Sequence, residues 1–390
     1  MWIPPVHSPI APADAVRSLT AGPDALHALE RELLRDLSAS RVLLTSSGTH
    51  ALQVALGLAL AATDADRRRV ALPAYACYDV ATAATAAGAP VAFYDLDPEH
   101  LVPDPASIAH AVERGAGVVV IANLFGFPVD WEPLRRIERE TGAWIVEDAA
   151  QGIGTTWLGK PGGSLGDLSV LSFGRGKGWT GSGGGALLLR GRMGGERLDP
   201  LDAASTSQFV LAGKALAQWL LGRPALYGLP ARSPGLGLGE THWREPTPAT
   251  GMHPYQASLV RRSGEAARAE IVRRRGQAAR LRDALSTLTG IRLPVPLGVG
   301  EASWLRLPVR MTHASGPLPR ALARLGTLRA YPRVLPDLPQ LQPLYEGPVP
   351  SCPGARTLVQ ELVTVPTHGR APLSYLLDRL PGSLRDAGRI

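Results

Sequence analysis

Val118-Val-Val-Ile121, then Trp131-Glu-Pro-Leu-Arg-Arg-Ile-Glu-Arg-Glu-Thr141, then Trp144-Ile-Val-Glu-Asp-Ala-Ala-Gln151 are the pieces of sequence that decide the architecture. A short apolar run, a helical stretch and a second short apolar run make a strand, a crossover helix and a second strand. Two strands joined this way pair in parallel, because the helix carries the chain back to its starting edge. The same rhythm extends outward on both sides. Val70-Ala-Leu-Pro73 and Val91-Ala-Phe-Tyr94 precede it, with a crossover helix over Pro103 to Arg114, and Leu168-Ser-Val-Leu-Ser-Phe173 and Ala186-Leu-Leu-Leu189 follow. Alternating strands and helices predict an α/β protein, with one large, mostly parallel sheet covered on both faces.

Upstream, Ala51 to Ala62 reads as an apolar helix that starts near Ser47, within Thr45-Ser-Ser-Gly-Thr-His50, whose small hydroxyl residues suit a helix start. The rhythm breaks between about residues 191 and 250. There Val210 to Leu221 reads as an apolar helix and Arg223 to Gly235 is punctuated by Pro and Gly, which together read as an insertion. A long helix from about Pro254 to Leu288 follows, then Ile291-Arg-Leu-Pro294, Trp304 to Val309 and Leu362-Val-Thr-Val-Pro366, which suggest a smaller α+β domain. The expected division is residues 1–250 and 251–390.

At 390 residues the chain is long enough for two domains and a large core. Two cysteines, Cys77 and Cys352, exclude a disulfide framework or a cysteine-ligated cluster. The beginning, Met1-Trp-Ile-Pro-Pro5, lacks the layout of a signal peptide, and no apolar run is long enough for a membrane span, so a cytoplasmic setting is expected. The net charge is +7, but the basic residues are 38 scattered arginines and three lysines, a skew that fits a GC-rich genome better than a nucleic-acid footprint. Arginine stays protonated whereas lysine can be tuned to a neutral amine, so Lys160, Lys177 and Lys214 are the candidates for a reactive amine.

Four features stand where strands give way to loops, the edge at which open α/β sheets bind ligands. Ser47-Gly48-Thr49 opens a helix whose free N–H groups suit a phosphate. Asp148 follows a strand and small residues follow it, leaving room for a ring whose protonated pyridine nitrogen the carboxylate could hold. Lys177 lies in Ser172-Phe-Gly-Arg-Gly-Lys177 ahead of a glycine tract, between two apolar strands, where a desolvated amine would lose basicity and bond a carbonyl carbon; Ser172 could add a phosphate contact. Pro73-Ala-Tyr75-Ala-Cys77-Tyr78 is a loop whose aromatics either stack on a ring or fill the core.

Competing motifs fail on context. Gly176-Lys177 is followed by Gly178 rather than the Ser or Thr of a nucleotide-binding loop, and the glycines from Gly181 to Gly185 lead into a strand rather than the helix of a dinucleotide fold. Gly162-Gly-Ser164-Leu-Gly166 also leads into a strand, so it reads as a turn and not a nucleophile elbow. The nine histidines form no metal-binding pattern, and no metal is expected.

In this order, Ser47-Gly-Thr-His-Ala-Leu52, Asn123-Leu-Phe-Gly-Phe-Pro128, Glu147-Asp-Ala-Ala-Gln151, Gly159 to Asp167, Ser172 to Lys177, Cys352-Pro-Gly-Ala355 and Leu362 to His368 resemble the DegT/DnrJ/EryC1/StrS sugar aminotransferases, a family of fold-type I pyridoxal-phosphate enzymes. The resemblance implies that Lys177 forms the covalent link to pyridoxal 5'-phosphate and shuttles the proton. It implies that Asp148 pairs with the pyridine nitrogen, that Gln151 lies near the cofactor hydroxyl, and that Gly48, Thr49 and Ser172 hold the phosphate. Where the family usually has a stacking aromatic this chain has Cys77, so either Cys77 covers the ring or Tyr78 replaces it. The partner-subunit Asn-x-Arg expected ahead of Tyr255-Gln-Ala-Ser-Leu259 is missing, and Ser182 lies near where an acidic residue is usual.

The function so implied is transfer of an amino group from an amino acid such as L-glutamate to a keto-sugar nucleotide, by a cytoplasmic homodimer with no nucleic-acid partner. Alternatives are a pyridoxal-phosphate lyase, dehydratase or racemase, or a cofactor-binding regulatory protein. The 210–221 helix is expected in a dimer interface or at the substrate mouth, with peripheral membrane contact as a weaker alternative.

Overall fold

The computed structural model describes residues 1–232, 241–312, 316–345 and 347–387. Its main sheet has seven strands: β1 (Arg41–Thr45), β2 (Arg69–Pro73), β3 (Val91–Tyr94), β4 (Ala116–Ala122), β5 (Trp144–Asp148), β6 (Leu168–Ser172) and β7 (Gly185–Leu189). Their spatial order is β1-β7-β6-β5-β4-β2-β3. Neighbours run parallel except at β7, which is antiparallel to both β1 and β6. All residues of central β4 are buried, which is why it is uniformly apolar instead of alternating.

Helices that flank this sheet include α1 (Asp24–Asp36), α2 (Gly48–Ala61), α3 (Tyr78–Ala86), α4 (Pro105–Glu113) and α5 (Glu132–Thr141). Strand pleating divides the core. Val118 and Val120 face Leu52, Leu56 and Ala81 of α2 and α3, while Val119 and Ile121 face Ile108, Leu134 and Ile137 of α4 and α5. Helix α4 begins cleanly because the Asp104 side chain accepts a hydrogen bond from Ala106 N and Pro105 sits at the first turn. Strand β1 has no counterpart in the sequence reading. It is an edge strand that opens on exposed Arg41 and runs directly into Ser46-Ser47, so its apolar stretch is too short to stand out.

Between residues 191 and 250, helix α6 (Gln208–Leu221) is capped by Ser207 and packs Leu211, Ala212 and Ala215 against Ile10, Ala15, Tyr255 and Leu259. Its outer face leaves Phe209, Val210, Leu220 and Leu221 exposed. The end of the breaker run, Ser233-Pro-Gly235, lies outside the described residues. Helix α7 (Pro254–Leu285) is fixed at its start by two side chains: the His253 ring accepts from Tyr255 N at 3.0 Å, and Gln256 Oε1 accepts from His253 N at 3.1 Å. At 32 residues it runs about 48 Å and serves two cores. Ala257 and Val260 pack on the main sheet, whereas Leu281 and Leu285 pack on a three-stranded sheet of β8 (Ile291–Arg292), β9 (Leu307–Met311) and β10 (Leu362–Val365).

An N-terminal strap ties the second core to the first. Ile3 N donates to Arg324 O at 2.9 Å, and the His368 ring donates from Nε2 to Pro4 O at 2.9 Å. Arg306 donates to Pro5 O, and Gly176 N, in the lysine loop, donates to Ser8 Oγ at 3.1 Å.

Candidate active site

The strands that run parallel end at one edge of the sheet, and the functional side chains project from there. Ser47 caps α2 by accepting from His50 N at 3.1 Å, which leaves the first N–H groups of that helix, at Gly48 and Thr49, facing the cavity. Ser172, the last residue of β6, stands directly opposite. A Cβ added at Gly48 would lie 2.7 Å from Ser172 Cβ and 2.9 Å from its Oγ, so no larger residue fits without moving one of the two. Helix start and strand end thus form a cup with hydrogen-bond donors on both lips.

Strand alternation sends Glu147 and Asp148 to opposite sides of the sheet. Glu147 is fully buried and accepts from Gly163 N (2.8 Å), Leu165 N (2.9 Å), Gly166 N (3.3 Å) and Ser169 Oγ (2.7 Å), so its carboxylate organises the 159–167 loop. Within that loop Ser164 Oγ donates to Pro161 O at 2.6 Å, the turn read from the sequence. Asp148 points into the cavity, with Oδ1 held by Ala150 N at 3.0 Å. Burial pushes its carboxyl above the usual range, and the Lys177 charge pulls it partly back.

Lys177 lies in the turn that joins β6 to β7. Gly176 has φ of 78° and packs directly on Val6, a left-handed and crowded position that only glycine takes without strain. Lys177, Asp148, Gln151, Ser172, Gly48, Thr49 and Cys77 all line one pocket. It opens into a cavity of about 670 Å³ that also meets Val6, Arg175, Arg244, Arg306 and Tyr331. Lys160, in contrast, is exposed on a small hairpin, and Lys214 is exposed on α6.

Cys77 lines the pocket and Tyr78 does not. Tyr78 opens α3 and is buried in the core beneath it, and Tyr75 is fully buried beside Tyr331, with ring centroids 5.0 Å apart. Burial pushes the Cys77 thiol up to about 12, so it presents a neutral, soft surface to the cavity.

Several cavity residues were not read from the sequence. Val6 and Tyr331 arrive from the strap and from the segment after Gly326, with no motif to announce them. Gln218 of α6 donates to Ser182 Oγ at 3.0 Å, which brings the insertion onto the glycine tract behind Lys177. Phe125 holds a left-handed φ of 53° and donates its N–H to Gln151 Oε1 at 2.9 Å, a strained residue at a cavity wall. Among the described residues no helix is long and apolar enough to cross a membrane, and no group of three or more His, Cys, Asp or Glu is placed to hold a metal.

The model of the DegT/DnrJ/EryC1/StrS aminotransferase family matches residues 13–216. Over 168 residues the chain is 31% identical to 3-amino-5-hydroxybenzoate synthase of Amycolatopsis mediterranei, a match covering 43% of this chain and 42% of that protein. Over 154 residues it is 33% identical to 3-oxo-glucose-6-phosphate:glutamate aminotransferase of Bacillus subtilis, covering 40% and 33%. The matched part therefore spans about two fifths or less of these relatives' own length. The crystal structure of the aminotransferase TlmJ from Streptoalloteichus hindustanus superposes with a TM-score of 0.72 at 25% identity, covering 99% of this chain and 97% of that one.

Proposed function

The chain belongs to the DegT/DnrJ/EryC1/StrS aminotransferase family, and from that premise we propose that it is a pyridoxal-phosphate-dependent aminotransferase that moves an amino group from L-glutamate to a keto-sugar nucleotide. The observation that carries this reading is the convergence of Lys177, Asp148 and the Gly48–Thr49–Ser172 cup on one pocket. Those residues fit the cofactor. Gly48 and Ser172 stand so close that only glycine leaves the helix-start N–H groups and the Ser172 hydroxyl side by side, and the Asp148 carboxylate and the Lys177 amine line the same pocket.

When bound, pyridoxal phosphate supplies the electron sink for the transfer. The chain's own groups do the rest. Gly48 and Thr49 N–H and the Ser172 hydroxyl would bind the phosphate. Asp148, fixed by Ala150 N, would hold a proton on the pyridine nitrogen, and Cys77 would cover one side of the ring. Lys177 Nζ would anchor the cofactor and move the proton between donor carbon and cofactor. The glutamate in the Bacillus relative's name supports the donor, and the cations Arg175 and Arg244 at the cavity support an anionic acceptor. The homodimer belongs to the same proposal, and the exposed apolar face of α6 supports it.

The test is the visible absorbance spectrum of the purified protein before and after L-glutamate. A cofactor band that falls on adding glutamate is expected. A band indifferent to every amino acid offered would transfer the protein to another pyridoxal-phosphate reaction, and no band after adding pyridoxal phosphate would overturn the proposal.

A further inference from the structure

The Gln151 amide is held from two sides. Phe125 N–H can only donate, so the atom it meets at 2.9 Å must be the amide oxygen, and the side chain's orientation is thereby fixed. The amide nitrogen then donates one hydrogen to Tyr331 Oη at 2.8 Å. A primary amide has two N–H donors, so one remains, on a residue that lines the cofactor pocket.

Tyr331 is itself well anchored. It is 6% exposed, packs edge-on to Tyr75 and lies nearly parallel to Phe125, with centroids 6.1 Å apart and planes 22° apart. Its segment is tied at both ends. Leu328 exchanges backbone bonds with Thr364 of β10 at 3.0 and 2.8 Å, whereas Leu335 N donates to Ala74 O of the large domain at 2.8 Å. The tyrosine therefore spans from the second sheet to the pocket of the first.

We infer that Tyr331 is a positioning residue: its hydroxyl takes one N–H of Gln151 and so reserves the other for the ring oxygen of the bound cofactor. Gln151 cannot turn without losing both of its anchors, one from each domain. The titratable groups that share a cavity lining with it are Asp148, Lys177, Asp79, Cys77 and Tyr331 itself, with Arg175, His242, Arg244 and Arg306 farther out, and among the described residues the side-chain hydrogen bonds to its amide are those from Phe125 N and to Tyr331 Oη.

This inference rests on the proposed cofactor, and its test separates the two. The holoenzyme's visible band is titrated with pH in the wild type, Tyr331→Phe, Gln151→Ala and the double variant, with Tyr75→Phe as a control that removes a neighbouring hydroxyl which does not touch Gln151. Tyr331→Phe is expected to move the midpoint by roughly half to one pH unit, the scale of one hydrogen bond. The shift has the direction of Gln151→Ala, and the double variant moves no further than Gln151→Ala alone. An unmoved midpoint in Tyr331→Phe, additive shifts in the double variant, or an equal shift in Tyr75→Phe overturns the inference while leaving the cofactor in place. Absence of the band in the wild type overturns the proposed function instead. Thermal melting without cofactor checks each variant's fold, and Tyr331→Met, which fills the pocket without a hydroxyl, replaces Tyr331→Phe if that variant does not fold.

Discussion

The two sides of the cavity are built on different principles. The cup side, at residues 47–49, 148–151 and 172–177, is made of short segments that follow the ends of β1, β5 and β6, and its groups are placed by backbone geometry. The opposite wall is made of single side chains, Val6, Arg306 and Tyr331, delivered by segments far apart in the chain. Arg306 shows the contrast: it is buried and donates to Thr364 Oγ1 at 2.6 Å, Thr364 O at 2.8 Å, Gly326 O at 2.9 Å and Pro5 O. Burial lowers its pKa to about 9, and its job is to tie strap to second sheet. The cup holds chemistry in place locally, whereas the wall holds distant parts of the chain to one another.

If this division is right, perturbing each side should fail differently. The largest effect is expected from Lys177→Ala, which removes the amine from the cup and touches no element of the wall. Amino transfer should fall by at least about 10²–10⁴-fold while the melting temperature stays near wild type; a variant that still transaminates, or that unfolds, breaks the comparison.

Next comes a pair of substitutions on one helix. Gly48→Ala drives a Cβ into Ser172, whereas a Cβ at Gly57 meets nothing within 4 Å. Overpacking of about 1–3 kcal/mol predicts cofactor affinity weakened roughly tenfold or more for Gly48→Ala, read by titrating apoprotein with pyridoxal phosphate. Gly57→Ala should bind normally and melt slightly higher, by helix propensity. Equal affinities would place the phosphate elsewhere.

The smallest effect probes the wall. Burial, with Arg370, Arg274 and Arg273 nearby, lowers the pKa of His7 on the strap to about 3 from an ordinary 6.5, and His368 is lowered as well. As the pH falls below 6.5 the unfolded chain takes up a proton at His7 and the folded chain does not until about 3, so His7's contribution to stability is full above that window and lost progressively through it. Asp148, displaced upward, works in the opposite sense. The melting temperature should therefore drop a few degrees more between pH 7 and pH 5 in the wild type than in His7→Asn. Parallel pH curves for the two proteins would detach the strap from acid sensitivity.

The same contrast explains what could be read in advance. Strand runs such as Val118 to Ile121 are buried on both faces, so hydrophobicity alone marked them. Lys177, Asp148 and Ser47–Thr49 stand at the ends of such runs, and the topology brings them together once the sheet is parallel. Tyr331 and Val6 had no such marker, because each matters only through a neighbour that is distant in sequence. Gln218 was similarly hidden: its helix was legible as apolar, but its bond to Ser182 depends on how the insertion folds back. Between Cys77 and Tyr78 the sequence left the choice open. The cavity lining contains Cys77, while Tyr78 turns into the core at the start of α3.

The strap also sets an order of events during synthesis. Pro4 and His368 are 364 positions apart, and Pro5 and Arg306 are 301 apart. At ordinary elongation rates the strap waits on the order of tens of seconds for these partners, long after the main sheet's strands have been translated. Docking of the strap is thus expected to be among the last steps of maturation. A purification tag fused ahead of Met1 would be tethered beside Ile3 at that step.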